Sequence, residues 1–196
     1  MTGISDRELW RRANEGESEA FGVLFDRHAK AIYNFLFRRT TNWSEAEDLT
    51  SAVFLHAWRR RAEVVLDRES ALPWLLRTAD YTVRNERRSK QRYRRALPSF
   101  QLLVTDQPDH ADDVSARLDD QREAKELRRA LRRLPRHHRE IVELCIWAGL
   151  DQQAAAIALD IPIGTVKSRL SRARRHLRDI GGPPSLTPED PREIVP

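Results

Sequence analysis

Lys167, Arg169, Arg172, Arg174, Arg175 and Arg178 place six positive charges within twelve residues, with no carboxylate among them. Guanidinium and ammonium groups at that density are ligands for phosphate, and they can also hydrogen-bond base edges when a helix carries them into the major groove. The flanking residues supply such a helix. Val166, Leu170, Ala173 and Leu177 recur at spacings of four, three and four, which lines one face with apolar side chains and turns the basic ones outward. Just upstream, Asp151 can cap a helix over Gln152 to Leu159, in which Ala155 and Ala156 are small enough to admit a second helix. Asp160-Ile161-Pro162 then breaks it, and Pro162 suits the first turn of the next helix. Two short helices, a tight turn and a basic second helix make a helix-turn-helix. The start of the second helix presents Thr165, Lys167, Ser168 and Arg169 to base edges, while Arg172 and Arg175, further along, meet phosphates.

A second constellation precedes it. Trp74, Tyr81, Arg84, Asn85, Arg87 and Arg88 combine aromatic faces, guanidinium groups and an amide, which suits bases that have left the stack and the phosphates beside them. They ride on a helix that begins near Pro73 and runs through Leu75, Thr78 and Val83 into the stretch Arg84 to Arg95, where seven basic residues face one glutamate. A third constellation lies on the helix opened by Ser44 and Glu47, a capping-box pair. Its stripe of Ala46, Leu49, Val53 and Ala57, widened by Phe54 and Trp58, faces a core. The opposite face carries Asp48, Ser51, Leu55 and Arg59, and a leucine among polar residues there fits docking onto a charged helical partner.

Enzyme chemistry finds no support in the residues. There is no glycine-rich phosphate loop, no paired carboxylate and no metal-ligand spacing, and His137-His138, adjacent on a helix, should face different ways. No catalytic residue, metal or cofactor is therefore expected. Cys145 is the single cysteine, which excludes an internal disulfide, and among Ile141, Val142, Leu144, Ile146 and Trp147 it reads as a buried thiol. No apolar run reaches membrane-spanning length and the first residues lack signal-peptide character, so no membrane insertion and a cytoplasmic location are expected. A formal charge of +5 favours a polyanionic partner, but with 35 basic and 30 acidic residues the distribution says more than the total.

The elements that must position these groups are helical throughout. Period-two alternation is absent, and helical periodicity fills the chain before residue 97 and after residue 118, so the expected fold is all-α. Ser5 with Glu8 opens the first helix, and Phe21, Leu24, Phe25, His28, Ile32, Phe35 and Leu36 form the stripe of the next, with His28 at the edge of the core. Between Asp106 and Asp120 stand six aspartates and only Arg117 to oppose them, which marks residues 98–117 as a flexible acidic linker. Two small helical domains follow, 1–97 and 118–180. The second begins with Leu127, Ala130, Leu131 and Leu134 in register and continues with a helix from Arg136 to Ala148 that Gly149 can end. Five of the ten prolines lie in the last fourteen residues, so 181–196 reads as a disordered tail.

These segments resemble the bacterial sigma factors of the extracytoplasmic-function (ECF) group, subunits that direct RNA polymerase to promoters. Ser44 to Arg60 looks like the polymerase-binding helix, and Leu72 to Asp80 with Val83 to Arg88 looks like the melting and minus-ten segment. Leu134 to Val142 and Ile161 to Arg174 resemble the minus-thirty-five domain. The pattern departs from the family at Ser51-Ala52, where a Gln-Glu pair is usual, and at Asp160, where glycine is usual. The resemblance implies that Asp48, Ser51, Leu55 and Arg59 touch the polymerase clamp helices, that the second domain works near the flap, and that promoter DNA and core RNA polymerase are the partners. An anti-sigma factor is a further partner the resemblance allows. The expected function is promoter-specific initiation by duplex readout and capture of melted bases, without enzymatic activity. A stand-alone helix-turn-helix regulator is the alternative, and it would leave the basic aromatic stretch after Trp74 without a role.

Overall fold

The computed structural model describes residues 3–66, 68–96 and 114–179, and every regular element within them is helical, as expected of an all-α chain. Helix α1 (Asp6–Asn14) opens where Ser5 accepts a hydrogen bond from the Glu8 N–H at 3.3 Å. The reciprocal half of the box is not made, because the Glu8 carboxylate turns to Arg11 and Arg12 instead. Helix α2 (Ser18–Thr40) buries Leu24, His28, Ile32, Phe35 and Leu36 of its stripe, while Phe25 stays partly exposed against the edge of Phe54. It ends at Thr41, a left-handed residue (φ 58°) whose N–H returns to the Phe37 carbonyl.

That tight ending moves the start of α3 (Trp43–Arg60). The cap is Asn42, whose side chain accepts from the Glu45 N–H at 2.7 Å, and Ser44 falls inside the first turn rather than opening the helix. With Thr41 used to close α2, Asn42 is the one extended residue left between the helices. After a short 3₁₀ turn and a loop comes α4 (Leu72–Ala96). The loop is held by α1: the buried Asp6 carboxylate accepts from the Ala71 N–H at 2.8 Å and from His28 at 2.6 Å, and it also binds Arg27. Burial pushes the Asp6 pKa up, but these donors outweigh it and leave the carboxyl at about 2.

The second half starts with α5 (Val114–Arg132), so helix begins four residues before Leu118, inside the stretch expected to be linker. The rest of that stretch and the tail 181–196 lie outside the described residues. Helix α6 (Arg136–Val142) does not run on to Ala148 as an α-helix. It widens into a π turn over Glu143–Trp147, where the Ala148 N–H reaches the Glu143 carbonyl at 3.1 Å, and Gly149 (φ +69°) ends it. Helices α7 (Gln152–Leu159) and α8 (Ile163–Asp179) are the last elements among the described residues.

A small core of Leu127, Leu131, Leu134, Val142, Ala173 and Leu177 ties α5 and α6 to α8. The larger core does not stop at the acidic stretch: Leu75, Leu76, Ala79 and Val83 of α4 belong to the same buried cluster as Ile141, Leu144, Leu150 and Ala155. Each such leucine contributes about 1.5–3 kcal/mol by leaving water, so this seam is a substantial adhesive surface between the two halves.

Candidate nucleic-acid and partner interfaces

The helix-turn-helix is built as its residues require. Asp151 accepts from the Ala154 N–H at 2.6 Å, a bond that draws its carboxyl pKa down. Asp160 is left-handed (φ 55°), and the Ile161 N–H reaches back to the Ala156 carbonyl at 3.1 Å, which closes α7 without a glycine. Pro162 stands one place before α8 rather than in its first turn, and its carbonyl accepts from Thr165 at 2.9 Å. The small residues turned inward are Ala154, Ala155 and Ala158, with Ala156 only half-buried. Val166, Leu170, Ala173 and Leu177 are all buried, so the opposite face of α8 is the free one.

On that face Lys167, Ser168, Arg172 and Arg175 are exposed, and Thr165 and Arg169 are half-buried. The Ser168 hydroxyl donates to the Thr165 carbonyl at 3.1 Å, so toward a base it is left as an acceptor. Among the described residues no carboxylate pairs with Lys167, Arg169, Arg172 or Arg175. Four cations without counter-ions on one helix face form a surface ready for a polyanion.

On α3, Asp48, Ser51, Leu55 and Arg59 are exposed together, Leu55 at 48%. A groove of about 840 Å³ runs between α3 and α4, with Leu55, His56 and Arg59 on one wall and Tyr81, Asn85 and Arg88 on the other. Residues expected to meet a protein partner and residues expected to meet bases therefore share one cleft. Tyr81 is 60% exposed at its rim. Trp74 is not free in the same way: its ring stands edge-on to Trp10 at 5.4 Å and lies near His56. Arg84 and Arg87 lie on another flank. Arg84 binds Asp80 at 2.7 Å and Glu140 at 2.5 Å, and Arg87 donates to the Arg39 carbonyl at 2.7 Å.

That flank holds residues the sequence did not single out. Arg39, at the end of α2, is buried and binds both Asp80 of α4 and Glu143 of the π turn. Burial alone would lower its pKa, but the two carboxylates raise it, so Arg39 stays charged. Its partners are 41 and 104 positions away, too far for any local pattern to announce them. Arg128 donates to the Thr40 carbonyl at 3.0 Å, where the α2 carbonyls favour a cation. Burial, then its neighbours Arg87 and Arg132, bring the Arg128 pKa down to about 10. His137 is exposed and His138 buried, so the two face different ways as expected, although their rings still meet edge to face with centroids 4.3 Å apart. Among the described residues no cluster suited to a metal is present. Cys145 is only half-buried, yet burial raises its thiol to about 11, which keeps it mostly protonated near neutral pH.

Residues 24–93 match the family Sigma-70 region 2, and residues 124–177 match Sigma-70, region 4. The ECF RNA polymerase sigma factor SigL of Mycobacterium tuberculosis is 31% identical over 166 residues, covering 85% of this chain and 91% of the relative. The chain belongs to the ECF sigma factors. The RNA polymerase sigma factor NccH of Alcaligenes xylosoxydans xylosoxydans is also 31% identical, over 88% of this ECF sigma factor and 92% of its own length. Among solved structures, CnrH in complex with the cytosolic domain of CnrY superposes with a TM-score of 0.67 at 24% identity, covering 89% of this chain and 96% of that one. RpoE of Bartonella quintana, in complex with the anti-sigma factor NepR, gives 0.58 at 22% identity, over 82% and 95%. Both share the fold. Region 2 thus takes in α3, α4 and the groove between them, and region 4 takes in the helix-turn-helix. In this sigma factor no described helix is long and apolar enough to cross a membrane.

Proposed function

We propose that this ECF sigma factor divides promoter recognition between its two basic helices. It works with core RNA polymerase in promoter-specific initiation; what we assign is which side chains do so. Thr165, Lys167, Ser168 and Arg169 read bases of the upstream element, and Arg172 and Arg175 hold phosphates. Tyr81, Asn85 and Arg88 receive melted minus-ten bases at the α3–α4 groove, with Trp74 behind His56 of its wall and Arg84 and Arg87 on the adjoining flank for phosphates. Asp48, Ser51, Leu55 and Arg59 meet the polymerase clamp. Residues 1–97 and 118–180 carry these two roles on either side of the acidic stretch, and an anti-sigma factor, such as the one bound to RpoE of Bartonella quintana, is a further partner.

The observation that carries this reading is the uncompensated basic face of α8 behind a fully buried apolar stripe. Sigma factors are in general not enzymes, and we assign no catalysis to this one: captured bases stabilise the open duplex by binding alone. The test is run-off transcription with bacterial core polymerase on a promoter library. Specific initiation that Leu55→Glu abolishes and Lys167→Ala redirects supports the assignment. Sequence-specific binding by the chain alone, with no effect of core polymerase on initiation, contradicts it and favours a stand-alone regulator.

A further inference from the structure

The apolar stripe of α8 does not stop where the core stops. Val166 is fully buried, but Ile163, one turn earlier and the first residue of the helix, is 43% exposed. Ile163 also lies one turn before the exposed Lys167, so an apolar and a cationic side chain stand side by side at the base-reading end. Gly164 is next to both. It is helical, and an added Cβ would meet no described atom within 4 Å, so alanine, the better helix former, would fit there. Nothing among the described residues calls for glycine at this position; what glycine leaves is room for another molecule to come close to the main chain. The polar neighbours are incomplete readers. Lys167 can only donate, and it suits guanine O6 or N7 and thymine O4 alike, while the Ser168 hydroxyl is committed to the Thr165 carbonyl. In the major groove the group that marks thymine is its C5 methyl, and an apolar side chain is what recognises it.

We propose that Ile163 is a specificity-determining residue that packs against a thymine methyl in the upstream element, with Gly164 giving the clearance that lets the base edge approach. The inference rests on the assignment of the start of α8 to base reading and adds an apolar determinant to it. Lys167 finds an acceptor, and Ile163 decides that the acceptor belongs to thymine. Because the isoleucine stays largely in water until DNA covers it, its contribution arises in the complex and not in the fold. One methyl group taken out of water is worth about fourfold in affinity, enough to set a preference at one base pair and too little to anchor the complex.

The experiment uses the full chain reconstituted with bacterial core polymerase. An upstream element is selected from a promoter library, and each of its thymidines, on either strand, is replaced singly by deoxyuridine, which lacks the methyl and keeps every hydrogen-bonding group. At one thymidine the wild-type holoenzyme should lose about fourfold in affinity. Ile163→Ala should bind the parent duplex about fourfold more weakly and no longer distinguish it from the deoxyuridine duplex. Ile163→Val, which keeps a branched apolar surface, should retain the distinction, and Lys167→Ala should weaken both duplexes and retain it too. A purely structural role for Ile163 would instead weaken both duplexes equally in Ile163→Ala. Gly164→Ala should unfold at the same temperature or a higher one, yet bind the parent duplex more weakly. The inference is overturned by an element without thymidine, by equal wild-type binding of every deoxyuridine duplex, by methyl discrimination that survives in Ile163→Ala, or by Gly164→Ala binding as the wild type does. Base preference that survives Lys167→Ala and Arg169→Ala together refutes the base-reading assignment of α8, and no initiation at any promoter refutes the sigma reading itself.

Discussion

Helices α4 and α8 carry similar basic runs, yet they reach that charge in opposite states. On α8 the arginines and the lysine of the outward face have no carboxylate partner among the described residues. On α4, Arg84 is held by Asp80 and Glu140, Arg87 by a main-chain carbonyl, and Lys90 by Glu45 at 3.1 Å. The difference teaches that charge density along a sequence measures what a helix could bind, whereas the partners that packing delivers decide what it is free to bind. For α8 the field is available at once. On α4 much of it is already engaged.

The sharpest way to break this comparison is Arg39→Ala. It strips the buried Glu143 of its cation and leaves Asp80 to Arg84 alone, and should lower stability by about 3–5 kcal/mol in urea denaturation. Arg172→Ala, exposed and unpaired, should change stability by no more than about 0.5 kcal/mol. Similar losses for both would mean that the two helices do not differ in commitment.

On α8 the next largest effect should divide along the helix. Lys167→Ala or Arg169→Ala should shift preference among upstream sequences by about 1–3 kcal/mol where a bidentate base contact is lost. Arg172→Ala or Arg175→Ala should weaken all sequences alike and reduce the salt slope of binding by about one. Titrations across a promoter library at several salt concentrations distinguish them, and identical behaviour of both sets would reverse the helix in the groove.

A third prediction concerns how α4 is held in place. The Asp6 pKa, at about 2 when folded, lies below its ordinary value of 3.8, so the folded state binds this proton less readily than the unfolded one. Its contribution, about 2 kcal/mol, is present above pH 4 and fades as pH falls toward 2. Asp6→Asn should flatten that acid limb of the stability profile, and an unchanged limb would mean that Asp6 does not tie α1 to the start of α4. A smaller effect than that of Asp6 is expected at Asp151→Ala, which removes a local cap from α7 and should cost about 1 kcal/mol in thermal unfolding.

Those two aspartates also mark what the sequence discloses. Asp151 caps an N–H three residues on, so its role is visible from spacing alone, as is the inward stripe of α8. Asp6 caps an N–H 65 positions away, and Arg39 meets a carboxylate 104 positions away, contacts that exist only once the helices have packed. The same holds for the candidate site. The outward residues of α3 and of α8 follow from periodicity, but that Tyr81 and Leu55 share a groove while Arg84 turns away from it depends on the crossing of α3 and α4. Ser44 was displaced as a cap by Asn42 for a short-range reason that needed the exact end of α2.

The π turn at Glu143–Trp147 makes chain length, as well as composition, a determinant of the contact between the halves. A helix that closes one bond five residues back holds one residue more than an α-helix needs, and each residue of an α-helix advances the azimuth by about 100°. Deleting a single residue within the turn would restore regular winding at little local expense. It would also rotate everything beyond it relative to Glu140 and Glu143, so that Arg39 could keep Glu143 or Arg38 could keep the Trp147 carbonyl, but not both. Insertions and deletions at this point are therefore a genetic dial on the angle between promoter-reading units, one that can turn while every arginine stays in the sequence.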